Sequence, residues 1–337
     1  MTAPIVEYSD ARFFPHQISL ADDRLTFIPT DRTKLRGASF IDGRSDFSTG
    51  AASDTCLSTL LASPVQAPQP DRFIFHIAFC GSTLLSRLLD VPGRALVLRE
   101  PNCLVDLANQ RAALDGEERS DPRFTPALLA IRALLRRRWQ AGEAIIVKPS
   151  NWINNLAVSL CEDAQALRPL FLTMDRAAFV RAIFRGGSDR LAFAARAAVH
   201  LTSEGRENAE RVAAALARET DQLGKLAGLA AVAHEVQMRI FREAARKGGW
   251  GAAHWLTLDD LVADPRAAAR RAATALAIGL PTESLEANCA RWLARHAKQP
   301  ERAYSTEQEG DGNRLAMAEH GERITAALDW ADHALGG

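Results

Sequence analysis

The stretch Phe73-Ile-Phe-His-Ile-Ala-Phe-Cys-Gly-Ser-Thr-Leu-Leu-Ser-Arg-Leu-Leu-Asp90 holds the residues most suited to chemistry. An apolar strand passes through the small turn Cys80-Gly-Ser-Thr83 into an amphipathic helix whose Leu84, Leu85, Leu88 and Leu89 face one way. Such a turn gathers free main-chain N–H groups at the positive end of a helix dipole, which suits a phosphate. Gly81 lets the backbone approach closely, Ser82 and Thr83 add hydroxyls, and Cys80 through Leu84 form the candidate cradle. Against the pattern G-x-x-x-x-G-K-[ST], Gly81 and Thr83 fit, but His76 replaces the first Gly and Ser82 replaces the Lys. Without that lysine the β- and γ-phosphates of ATP lose their main counter-charge. A plain strand-to-helix turn capped by Ser82 or Thr83 accounts for the same residues.

Two charged residues end apolar runs downstream. Glu100 follows Ala95-Leu-Val-Leu98, and Lys148 follows Ala144-Ile-Ile-Val147. Both belong at the carboxyl edge of a parallel sheet, where ligands bind in open α/β folds. Glu100 can take a proton there, or pair with Arg99, or cap a helix. Lys148 can stabilise a leaving phosphate or reach solvent along its own stem. His76, inside the strand, reads as a core histidine or a catalytic neighbour of the loop. Cys80 reads as a packed thiol, since no partner for an activated one stands nearby in sequence. Asp175, Asp259 and Asp260 are what a magnesium-dependent ATPase would use. A late cluster, Arg291, Arg295, His296, Lys298 and Tyr304, precedes Gly310-Asp-Gly-Asn313 and can close over an anion or form a solvated face. Leu134-Leu-Arg-Arg-Arg-Trp139 reads as a surface helix.

Elements able to position these residues are legible. Residues 1–70 read as an N-terminal extension with a strand at Arg24–Pro29, a second short run at Ala38–Ile41 and a helix from Asp54 to Leu61, punctuated by Pro64 to Pro70. From Asp71 five apolar runs alternate with helical periods: Phe73–Ile77, Ala95–Leu98, Ala144–Val147, Pro169–Met174 and Ala253–Leu258. That alternation predicts βαβ units around a parallel sheet buried on both faces. An Ala-, Glu- and Arg-rich stretch, about 189–247, predicts a helical insertion between the fourth and fifth strands. The expectation is an α/β domain over 71–337, helices flanking the sheet.

Composition narrows the function. The 337 residues carry 41 Lys+Arg against 41 Asp+Glu, so the basic excess expected of a nucleic-acid binder is missing. Five widely spaced cysteines, Cys56, Cys80, Cys103, Cys161 and Cys289, suggest neither a disulfide framework nor a zinc site, and point to a reducing cytoplasm. No membrane span and no signal peptide is expected.

At these motifs the chain resembles the sulfotransferase family. Ala78-Phe-Cys-Gly-Ser-Thr83 looks like the loop that binds the 5′-phosphate of 3′-phosphoadenosine 5′-phosphosulfate. Leu98-Arg-Glu-Pro-Asn-Cys-Leu104 is similar to the Glu-Pro segment of bacterial members, and Val147-Lys-Pro-Ser-Asn151 to their Lys-Thr-Pro segment. Trp255-Leu-Thr-Leu-Asp-Asp-Leu-Val-Ala-Asp-Pro265 resembles their Tyr-Glu-Asp-Leu…Asp-Pro element. The resemblance spans about 71–305 and implies a P-loop-type fold, the phosphosulfate nucleotide as donor, no metal, and sulfuryl transfer to a small-molecule or peptide hydroxyl or amine. It implies an acid near Glu100 as base and Cys80 to Leu84 at the 5′-phosphate; Lys148 is the substitute for charge stabilisation at the sheet edge, and His76, near the loop, a secondary catalytic candidate. Three positions depart: Phe79 stands where the loop carries a cation, and Met174 and Ala182 where an Arg and a Ser would hold the 3′-phosphate. Arg176, Arg181, Arg185 and Lys298 are the cations placed to replace them. The alternatives are a nucleotide-dependent phosphotransferase or ATPase, and a non-catalytic nucleotide-binding module on the same fold.

Overall fold

Two strands come first, β1 (Phe13–Ser19) and β2 (Arg24–Pro29), paired antiparallel across a turn at Asp23. α1 (Arg32–Gly37) follows, then β3 (Ser53–Cys56), which pairs with β2, and α2 (Leu57–Ala62). β1 was not evident in the sequence because Pro15 lies beside an irregularity in its register. The Ala38–Ile41 run forms no strand; Ile41 only donates its N–H to the Arg99 carbonyl. Asp54 to Cys56, read as the start of a helix, pair within β3 (Ser53–Cys56) instead. The computed structural model describes residues 6–62, 69–113, 121–162, 166–293 and 306–335. Most of the proline-bearing stretch and all of 294–305, with Arg295, His296, Lys298 and Tyr304, lie outside them.

The five expected core strands are present. β4 (Asp71–His76) leads to α3 (Ser82–Leu89), and β5 (Ala95–Arg99) to α4 (Asn102–Ala113) and α5 (Phe124–Leu135). β6 (Ala144–Lys148), α6 (Ala157–Leu160), β7 (Leu167–Thr173) and α7 (Arg176–Arg185) follow. The helical insertion is α8 (Gly187–His200), α9 (Arg206–Arg218) and α10 (Gln222–Gly248). β8 (Trp255–Thr257), α11 (Leu258–Ala263), α12 (Pro265–Ala275), α13 (Thr282–Leu293) and α14 (Thr306–Ala334) complete the chain. Gly310 to Asn313 lie within α14, so the expected Gly-rich closing loop is helix.

Every pair in the large sheet is parallel, and the order is β5-β6-β4-β7-β8. β4 is central, with β5 and β6 on one side and β7 and β8 on the other. The strand order therefore reverses at the carboxyl end of β4, the position at which open α/β sheets form a binding crevice. This is an α/β fold of P-loop-like arrangement, with a small antiparallel sheet beside it. Phe73 and Phe75 share one face of β4, two residues apart. Phe75 stacks on Phe171 of β7 at 5.7 Å, and Phe171 meets Phe241 of α10 at 5.4 Å. The insertion thus packs on the sheet. No helix among the described residues is long and apolar enough to cross a membrane.

Buried arginines fasten the N-terminal sheet to the larger one. Arg99, at the end of β5, pairs with Asp90 at 2.9 Å and donates to the carbonyls of Leu35, Arg36 and Ala38 at the end of α1. Arg87 adds a 2.7 Å bond to the Arg36 carbonyl. The edge strand β1 is met by α4, where Asp106 accepts from Ile18 N–H and Gln110 from Leu20 N–H. Bonding an edge strand to side chains blunts its tendency to recruit another strand. Past α5, Arg137 is 4% exposed and donates to the carbonyls of Tyr8, Asp10 and Phe13, so the expected surface face is an anchor.

Replacing Arg137 by Ala should remove the side-chain donor from those three carbonyls, of which, among the described residues, only that of Asp10 keeps a main-chain donor, the Phe13 N–H. A loss of about 2–4 kcal/mol is expected in urea unfolding, with proteolysis beginning near residues 6–13. A change below about 0.5 kcal/mol would show that the anchor is not needed.

Candidate functional site

The turn from β4 to α3 is left-handed twice. Phe79 has φ +64° and Gly81 φ +81°, with Cys80 between them. Gly81 also lacks room for a side chain: a Cβ there would lie 2.7 Å from Leu261 Cδ2 in α11. The N–H of Ile77 donates to Leu172 and that of Leu85 to Gly81, but those of Ala78 through Leu84 find no main-chain acceptor among the described residues. Changes of backbone handedness turn neighbouring N–H groups inward, forming a concavity that suits an anion. Ser82 and Thr83 are 6% and 7% exposed. Among the described residues neither hydroxyl has a hydrogen-bond partner, and neither is sealed from solvent. Two buried hydroxyls at the opening of α3 thus keep their donors available.

Cys80 points inward and donates to the Ile77 carbonyl at 2.9 Å. Its sulfur also receives the amides of Ser82 and Cys80 itself, and burial pushes the thiol up to about 12. It serves the loop as packing. His76 is buried on β4 with its ring nitrogens 2.9 Å from the carbonyls of Ile77 and Pro149. Burial, then the Lys148 charge, pull its pKa down to about 3, so the ring is neutral at physiological pH.

Glu100 and Lys148 meet at the carboxyl edge. Register pairs Arg99 with Lys148, and the Glu100 N–H continues the ladder to the Lys148 carbonyl at 2.7 Å. Glu100 then turns left-handed at φ +60°. Its Oε1 accepts from Lys148 Nζ at 2.5 Å, and its Oε2 from Arg44 at 2.6 Å. Arg99 is bound to Asp90 instead, so the pairing of Glu100 with Arg99 considered from sequence does not form. Burial raises the Glu100 pKa, but the Lys148 charge and hydrogen bond outweigh it, so the net shift is downward. The carboxylate is held ionised.

Arg44 reaches Glu100 from the N-terminal segment, resting its guanidinium 4.0 Å from the Phe40 ring and pairing with Asp42. Asp42, Arg44 and Glu100 border a cleft of about 370 Å³, whose other walls include Asn109, Ser150, Trp152 and Phe193. Trp152 donates its indole N–H to Asn109 at 2.7 Å and stacks on His200 at 4.2 Å. Phe193, on α8, touches both Trp152 and Phe79. The cleft and the loop therefore share a wall.

The other expected residues lie elsewhere. Arg176 begins α7 and binds Glu235 at 2.9 Å and Asp332 at 2.7 Å. Arg181 is half-buried on α7, Arg185 bonds to Asn313 of α14, and Lys298 is outside the described residues. Asp175 caps α7, Asp260 forms a capping box with Thr257, and Asp264 caps α12, so these carboxylates serve helix starts. Arg44, Trp152 and Phe193 were missed because no local pattern ties them to the loop. Arg44 is 56 residues from Glu100 in the chain.

Compared with protein-family models and with curated proteins, the chain matches none.

The lowered pKa of His76 makes a testable contribution to acid sensitivity. Below an ordinary histidine pKa of about 6.5 the unfolded chain gains a proton that the folded ring refuses, until pH falls to about 3. Within that window the residue should remove about 1.4 kcal/mol of stability per pH unit of acidification. In urea unfolding at pH 7, 5.5 and 4.5, His76→Asn should lose stability less steeply than wild type. Parallel slopes would place the titration elsewhere.

Proposed function

We propose that this protein is a sulfotransferase-like enzyme transferring a sulfuryl group from 3′-phosphoadenosine 5′-phosphosulfate to a hydroxyl or amine acceptor. The observation that carries the reading is the group of main-chain donors between Ala78 and Leu84, apart from those of Cys80 and Ser82 that the Cys80 sulfur takes, located where the strand order reverses. In this reading the loop amides, Ser82 and Thr83 hold the 5′-phosphate, and the cleft beside Glu100 receives the acceptor. The acceptor oxygen or nitrogen bonds to sulfur as the sulfur–oxygen bond to phosphate breaks. The electron pair leaves with 3′,5′-bisphosphoadenosine, and the acceptor proton passes to the Glu100 carboxylate.

The charge pair refines the roles implied by the resemblance. Lys148 keeps Glu100 in the form that accepts a proton, and its charge also acts on His76 and Cys80 beside the loop. One ammonium thus lies between the base and the leaving group, in a site that water screens weakly. His76, neutral, donates its one ring N–H to the carbonyl of either Ile77 or Pro149 at the base of the loop. A magnesium-dependent phosphotransferase using Asp175 or Asp259 is less well supported, because Asp175 caps α7 and Asp259 lies exposed in the first turn of α11, beside Asp260 of the capping box.

Melting temperature should rise with 3′,5′-bisphosphoadenosine alone. A rise requiring ATP and magnesium would favour the phosphotransferase, and a rise with neither would favour a module without the chemistry. Glu100→Gln should lower release of bisphosphoadenosine from the donor, assayed over a panel of phenols, alcohols and amines, by about 10²–10⁴-fold. Its affinity for the product should stay within about threefold of wild type, since the substitution leaves the loop intact. Unchanged turnover would remove Glu100 as base.

A further inference from the structure

We propose that Arg190, delivered by the helical insertion, is the cation that binds the anion held at the loop, and that Phe79 positions it. This rests on the reading of Ala78–Leu84 as an anion cradle. The guanidinium carbon of Arg190 lies 4.3 Å from the centre of the Phe79 ring, and its Nη1 donates to the Ala182 carbonyl at 2.8 Å. Phe193, three residues further along α8, meets the same ring edge-on at 6.1 Å. Residues three apart share a helix face, so one face of α8 holds Phe79 between a cation and an aromatic ring.

Two otherwise unexplained residues follow from this arrangement. Phe79 is a bulky side chain in a left-handed conformation, which glycine or asparagine adopts more readily. Its ring is what Arg190 and Phe193 grip. Gly186 has φ −90°, open to any residue, yet a Cβ there would lie 1.8 Å from Arg190 Cδ. The glycine keeps a lane for the arginine stem. Arg190 acts by its position, whatever else its remaining N–H groups meet. A guanidinium stays charged across the working pH range and matches the paired oxygens of phosphate or sulfate. It contacts Phe79, where the loop itself has no cation, and Ala182, where the helix offers only a carbonyl.

Binding of 3′,5′-bisphosphoadenosine and of inorganic phosphate, measured by calorimetry on the full chain, tests the assignment. Arg190→Ala should weaken the bisphosphate by about 10–100-fold. Arg190→Gln keeps the length and a donor for Ala182 without the charge, and should weaken it to a similar extent while melting like wild type. Phe79→Trp should retain affinity and Phe79→Leu should lose it. Adding Phe79→Lys to Arg190→Gln, which returns a charge to the loop, should recover at least part of the loss. Affinity in Arg190→Gln within twofold of wild type would overturn the role of Arg190. If wild type itself binds neither probe, the cradle reading fails and this inference fails with it.

Discussion

The backbone between β4 and α3 turns left-handed at Phe79 and again at Gly81, and the organisation of the carboxyl edge depends on those two turns. A left-handed residue other than glycine costs about 1–2 kcal/mol, so the Phe79 conformation requires support from outside the loop. α8 gives it through Arg190 and Phe193, while Leu258 and Leu261 of α11 close against Gly81. The Cys80 sulfur meets the amides of Ser82 and Cys80, and the other amides released from main-chain pairing have to be met by water or by a ligand. Their location at the reversal of strand order makes an anion the fitting partner.

Around that loop the charges form a chain rather than isolated groups. Lys148, 1% exposed, pairs with Glu100, which pairs with Arg44, which pairs with Asp42. Removing an ion from water costs several kcal/mol even after relaxation, so a buried ammonium is weak evidence for stability and better evidence for a site. Arg44 and Asp42 come from the segment tied down by Arg87 and Arg99, and Arg137 holds the hairpin before it. The segment between α1 and β3 therefore supplies part of the cleft wall.

The fold was largely legible because buried parallel strands read as uninterrupted apolar runs, and all five were present as such. β1 escaped because Pro15 breaks its alternation, and Ala38–Ile41 misled because apolar residues beside Arg99 pack without pairing. The loop and the positions of Glu100 and Lys148 at strand ends were readable from local sequence. Their direct contact was not, since parallel register is set by hydrogen bonding between strands whose order no single segment encodes. Arg44 and Arg190 were invisible for a similar reason: arginines are common on surface helices and loops, and only tertiary packing brought these two to the carboxyl edge.

The central claim is that main-chain amides of the loop face an oxyanion. Amide nitrogen and proton shifts followed by NMR during titration with 3′,5′-bisphosphoadenosine test it most directly. Saturable downfield movement of the Gly81, Thr83 and Leu84 amide protons, larger than at any other helix start, is the result this account predicts. Shifts absent from those residues, with movement confined to surface arginines elsewhere, would contradict it.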